Sequence, residues 1–118
     1  MFDAHHPPHT RYQDLPSHAR ALVDAVADSE LLVLPDKKMQ IQIATASGKP
    51  IGGINPVHNH LYLLSSYVAG RLSGARLNEL GFSPAQRSGD NGYYWKKPGI
   101  SDVEPLRVAI EDATGQPI

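Results

Sequence analysis

Residues 48–64, GKPIGGINPVHNHLYLL, constrain the fold more than any other stretch of the chain. The run opens on Gly-Lys-Pro, a turn signal. It passes through paired glycines and ends in strict alternation over residues 57–64. Successive strand side chains face opposite ways. Val57, Leu61 and Leu63 therefore share one side, apolar enough to be core. His58, His60, Tyr62 and Leu64 share the other, the most chemically suggestive face in the sequence.

Upstream of this run, Ser17 is a good helix N-cap with Leu15 as an apolar anchor before it. The spacing of Leu22, Val23 and Val26, joined by Ala19, predicts a helix over residues 18–29. Residues 31–36, LLVLPD, fit either a buried helix exit or a short strand. Met39, Ile41 and Ile43 alternate with Gln40 and Gln42, which predicts a half-buried strand over 39–46. Residues 46–50, ASGKP, form a hairpin connection into a second strand. Its Gly52-Gly53 pair marks a bulge or a close backbone approach. Asn55-Pro56 interrupts that strand, and 57–64 completes or follows it as a third.

Gly70 and Gly74 punctuate residues 65–81, so a long helix is excluded there. Residues 75–80 before Gly81 fit a short helix. Phe82-Ser83-Pro84 reads as a break, and RSGDNG at 87–92 as a loop. Residues 93–97, YYWKK, form a strand with Tyr93 and Trp95 on one side and Tyr94 and Lys96 on the other. Ser101 and Glu104 have capping-box spacing, with Pro105 placed in the first turn. Val103, Leu106, Ile110 and Ala113 then repeat at helical spacing up to Gly115. The expected fold is α+β: an antiparallel sheet of about four strands with N- and C-terminal helices on one face.

At 118 residues the chain has room for one domain with one core. We expect that domain over 15–118, after a flexible His/Pro-rich tail at 1–14 that carries His5, His6 and His9. The absence of cysteine excludes thiol catalysis, disulfides and thiolate metal sites. No apolar run is long enough to span a bilayer, and the N-terminus lacks a signal-peptide pattern. A soluble, cytoplasmic protein is expected, with no membrane partner and an oligomeric state left open.

Charge is distributed in blocks. Residues 1–36 carry two bases against six acids, and 101–118 one base against four. Residues 37–64 carry Lys37, Lys38 and Lys49 with no acid, and 65–100 five bases against Glu79 and Asp90. The acidic blocks hold the two long helices and the basic blocks hold most of the strands. If the helices cover one face, the opposite face and its rim are relatively basic.

The element order, with GKPIGGINPVHNHLYL at 48–63, GYYWKKP at 92–98 and the closing helix, resembles the YdhG-like family of small bacterial domains over about residues 17–115. That resemblance implies a frataxin-like fold. It also implies iron delivery for iron–sulfur cluster assembly, a role linked to some members. The chain departs from an iron binder of that kind in lacking a dense acidic ridge. Only Asp24, Asp28 and Glu30 fall on the first helix, with Asp36 beyond.

Two chemistries compete for the residues singled out. His58 and His60, about 7 Å apart along one strand face, suit two imidazoles sharing zinc or iron. A third ligand would come from His18, Asp24, Asp28 or the N-terminal histidines. A pair of exposed histidines with no metal is the simpler alternative, and the acids of the first helix also read as a solvated face. The other chemistry is binding. His58, His60, Tyr62, Arg87, Tyr94 and Lys96, rimmed by Lys37, Lys38, Arg71 and Arg76, interleave rings with cations, as open sheets that bind single-stranded nucleic acid do. Core packing with solvated lysines is the alternative for the aromatic strand.

No P-loop, dinucleotide fingerprint or nucleophile–base motif occurs. The leading expectation is a non-catalytic binding or adaptor domain for an anionic or protein partner, with no cofactor. Frataxin-like iron handling is the second. Histidines on the binding face would gain charge below about pH 6.5 and strengthen anion binding between pH 8 and 6.

Overall fold

The computed structural model of the chain describes residues 12–13, 15–34, 40–86 and 93–118. The histidines of the N-terminal tail, Asp36, Lys37, Lys38, Met39 and Arg87 lie outside the described residues. In chain order the elements are α1 (Ser17–Ala27), β1 (Leu32–Leu34), β2 (Ile41–Ala44), β3 (Pro50–Asn55) and β4 (His60–Leu64). They are followed by α2 (Ser65–Val68), α3 (Gly74–Glu79), β5 (Ser83–Gln86), β6 (Tyr93–Pro98) and α4 (Glu104–Thr114).

The fold is α+β, as expected, but the sheet has six strands rather than about four. They run antiparallel in the order β1-β2-β3-β4-β6-β5. One extra strand, β1, resolves the ambiguous run after the first helix. The other, β5, contains the Ser83-Pro84 pair that reads as a break. Proline lacks an N–H and so breaks central strands, but an edge strand tolerates it. β5 is an edge, paired only with β6.

Directly paired residues share a sheet face. Ile43, Gly52, Leu63 and Trp95 form one row, and Ile41, Ile54, Leu61 and Lys97 the next row on that face. The strand apolars of these rows join one buried cluster with Leu22, Val23 and Val26 of α1, Tyr67 and Val68 of α2, Leu77 of α3, and Leu106 and Ile110 of α4. All four helices thus cover the same face. Arg76 on α3 ties this layer together, donating from Nε and Nη2 to Asp112 on α4 at 3.1 and 3.0 Å.

The paired glycines serve the expected close approach. A Cβ on Gly53 would collide with the Ile41 carbonyl oxygen and lie 2.8 Å from the Tyr62 hydroxyl oxygen. There is also a bulge, one residue earlier. Ile43 faces Gly52 but Ala44 faces Pro50, which leaves Ile51 as the additional residue. β2 departs from the half-buried pattern, since all four of its residues are buried, Gln42 included.

Both expected N-caps are corrected. α1 begins at Ser17 itself, with Pro16 as N-cap and no side-chain cap, and the Arg20 N–H donates to the Pro16 carbonyl at 3.0 Å. The apolar stripe of Ala19, Leu22, Val23 and Val26 is buried as read. α4 starts at Glu104 with Val103 as N-cap. Proline explains the shift. With Ser101 as cap, Pro105 would sit where the first i→i−4 N–H is needed. Starting at Glu104 puts Pro105 at the second position, where no N–H is required. The ladder then opens with the Arg107 N–H donating to the Val103 carbonyl. Asp102 Oδ1 accepts the Glu104 N–H at 3.1 Å, the role assigned to Ser101. Gly81 and Gly115 end α3 and α4 as expected, with φ of +96° and +74°. No described helix is long and apolar enough to cross a membrane.

Candidate functional site: a ring-bearing sheet face

The rows offset from the core carry a different chemistry. Gln42, Gly53, Tyr62, Lys96 and Ser83 form one, and Asn55, His60 and Pro98 the next. The buried side chains of the helices lie on the other side of the sheet.

The residues before β4 make a turn rather than the start of a strand. Asn55 Oδ1 accepts the His58 N–H at 3.0 Å. Asn59 takes a left-handed conformation, φ +58°, which asparagine tolerates better than most residues. The Gly99 N–H donates to the Asn59 carbonyl at 2.7 Å and so fastens the turn to the end of β6. Val57, expected in the core, is 47% exposed. Strand parity therefore governs residues 60–64 only.

His58 nevertheless meets His60. Their rings are near-parallel, 11° apart in plane, with centroids 6.2 Å apart. The fold of the turn brings them together, not strand alternation. Tyr94, two rows along and on β6, lies 6.3 Å from the His60 ring at a tilt of 32°. Tyr62 meets His60 edge-on at 6.4 Å. Tyr62 is not the exposed binding residue the sequence suggests. It is 4% exposed. It lies beside Gly53, which has no side chain to obstruct it, and its hydroxyl accepts a hydrogen bond from Gln42 Nε2 at 3.4 Å. Tyr62 supports the rings rather than presenting one.

Lys96 is half-buried on the same face. His60 is held below the usual imidazole value, first by burial and then by the positive charges of Lys96 and His58. The histidine charging expected below about pH 6.5 is therefore displaced to lower pH at His60. Among the described residues, the strands carry no acid. Two cations expected at the rim serve the fold instead. The Arg71 guanidinium sits over the Tyr67 ring at 4.2 Å and donates to the Tyr67 carbonyl. Arg76 is paired with Asp112 and Glu79.

The proposed metal ligands are not assembled. Asp24 and its neighbour Asp28 are exposed on or beside α1, in the helical layer, across the sheet from His58 and His60. Asp24 accepts the Tyr12 hydroxyl proton at 2.8 Å. Among the described residues no group of three or more His, Asp or Glu side chains is placed to hold a metal ion. A groove of about 280 Å³ opens between α1 and the start of α4, floored by Ala21, Ala25 and Val103. It belongs to the helical layer and contains none of the rings.

Sequence reasoning missed Gln42. Its Oε1 atom is buried without a hydrogen-bond partner, a costly state that stable folds keep rare. The signal was present in the Gly-Gly pair, which lets Tyr62 close over the sheet toward Gln42. No protein family, curated protein or solved structure matches the chain.

Proposed function

We propose that this chain is a small binding domain that holds an anionic partner on the face formed by His58, His60, Tyr94 and Lys96. The observation that carries this reading is the convergence of three ring contacts on His60 beside Lys96, on a sheet whose described strands carry no acid. Rings and a cation, on strands with no acid among the described residues, are materials of recognition. Val57 and Leu32 are the exposed large apolar side chains among the described residues, too few for the apolar centre of a stable protein interface. The YdhG-like resemblance enters this proposal through the sequence motifs and the element order alone. The iron-handling role attached to that resemblance finds no support in the placement of Asp24 and Asp28.

Inorganic polyphosphate tests the reading. Titrated into isotopically labelled protein, it should move the signals of His58, His60, Tyr94 and Lys96 first, and added salt should reverse the shifts. Shifts confined to α1 and α4, or none at saturation, would reject it.

A further inference from the structure

We propose that the anionic partner is a single-stranded nucleic acid, its bases stacking on His58, His60 and Tyr94 and a phosphate pairing with Lys96. This rests on the anionic-partner reading above and narrows it. A simple polyanion needs cations, and this face offers few. Arg71 and Arg76 are engaged elsewhere, which leaves Lys96 as the cation described on the ring face. Its more abundant feature is ring surface. His58 is exposed, while His60 and Tyr94 are half-buried, so each ring is anchored yet retains accessible surface. His58 and His60 hold near-parallel planes, and Tyr94 continues the run from the adjacent strand.

Unstacked bases find such a platform on an open sheet. A duplex keeps its bases stacked internally and offers only edges and phosphates. Burial and the neighbouring charges also keep His60 in its neutral form at neutral pH. It then serves as a stacking ring more than as a charge. Tyr62 beneath, braced by Gln42, fixes the orientation of His60. The described strands carry no acid that would repel phosphate.

The test compares three probes with the full-length protein by fluorescence anisotropy: a labelled oligothymidylate of about a dozen nucleotides, an abasic phosphodiester of the same length, and a duplex. The proposal expects the oligothymidylate to bind at least about tenfold more tightly than the abasic chain, since one stacked base contributes about 1–3 kcal/mol. His58→Ala, at an exposed turn position, should weaken the oligothymidylate about tenfold and leave the abasic chain unaffected. Lys96→Ala should weaken both and flatten the salt dependence. Equal binding of the abasic chain or of the duplex would overturn the stacking proposal and leave the anionic-partner reading standing. Binding of none of the three, with polyphosphate also failing to shift the ring signals, would overturn both.

Discussion

The two faces of this sheet are built on opposite terms. The covered face is made of Ile41, Ile43, Ile54, Leu61 and Leu63 against four helices, and each of these side chains is fully buried. Its stability follows from apolar area removed from water. The ring face buries Gln42 and Tyr62 to a similar degree, yet joins them by a long hydrogen bond and leaves the Gln42 carbonyl oxygen unpaired. One face is optimised for folding. The other retains polar groups at positions where folding alone favours apolar ones. Local inconsistency of that kind is expected where a surface serves something besides stability.

The largest effect should come from opening the covered face. Leu61→Ala removes a fully buried side chain facing the helices and should cost about 2–5 kcal/mol, read from the denaturation midpoint. A cost below about 1 kcal/mol would mean the helical layer is loosely seated, and the contrast between the faces would fail. Next is the Asp102 side chain, which accepts the first N–H of the covering helix α4 from the residue before its N-cap. Asp102→Ala should cost about 1 kcal/mol, whereas Ser101→Ala should stay within about 0.5 kcal/mol. The reverse order would return the helix start to Ser101.

A smaller effect of favourable sign is expected on the ring face. Gln42→Leu removes the buried orphan oxygen at the expense of one weak hydrogen bond to Tyr62. Removing the buried orphan oxygen relieves its desolvation cost of about 1–3 kcal/mol, which offsets the loss of the long bond to Tyr62. The midpoint should hold or rise while His60 and Tyr94 signals move as Tyr62 loses its brace. A clear loss of stability would show that Gln42 is satisfied in solution and that the two faces follow the same rules.

What was legible in the sequence follows the same division. The alternation of Leu61 and Leu63, the stripe on α1 and the periodicity of α4 are apolar patterns, and burial of apolar area enforces them. The start of α4 was misread because Pro105 excludes an N–H donor, a constraint that outranks the attraction of a serine cap; nothing in the structure explains why Ser17 does not cap α1. β5 was missed because an edge strand forgives a proline. On the ring face, parity placed His60, Tyr94 and Lys96 together correctly. It could not foresee that Asn55 and Asn59 would fold Val57 and His58 into a turn. Nor could it foresee Tyr62 lying down across Gly53, because that depends on a neighbouring strand's missing side chain and not on Tyr62's own alternation.

The smallest expected effect is the one only the ring face can produce, since Ile and Leu do not titrate. His60 has a folded-state pKa below its unfolded value of about 6.5, chiefly through burial and then through Lys96 and His58. The unfolded chain therefore binds the proton more readily, and stability rises with pH across the interval between the two values. At pH 8 the group is neutral in both states and contributes no pH dependence. As pH falls through about 6.5 the unfolded chain begins to charge His60 first, and the wild-type protein should lose stability until the folded-state value is passed. His60→Gln should remove that part of the slope between pH 8 and 5 while leaving the rest of the profile. Direct titration of the His60 ring should also give a midpoint below that of a histidine in the denatured chain. A midpoint at or above the denatured-chain value would mean that His60 is neither buried nor crowded by Lys96, and the ring face would then be an ordinary solvated surface.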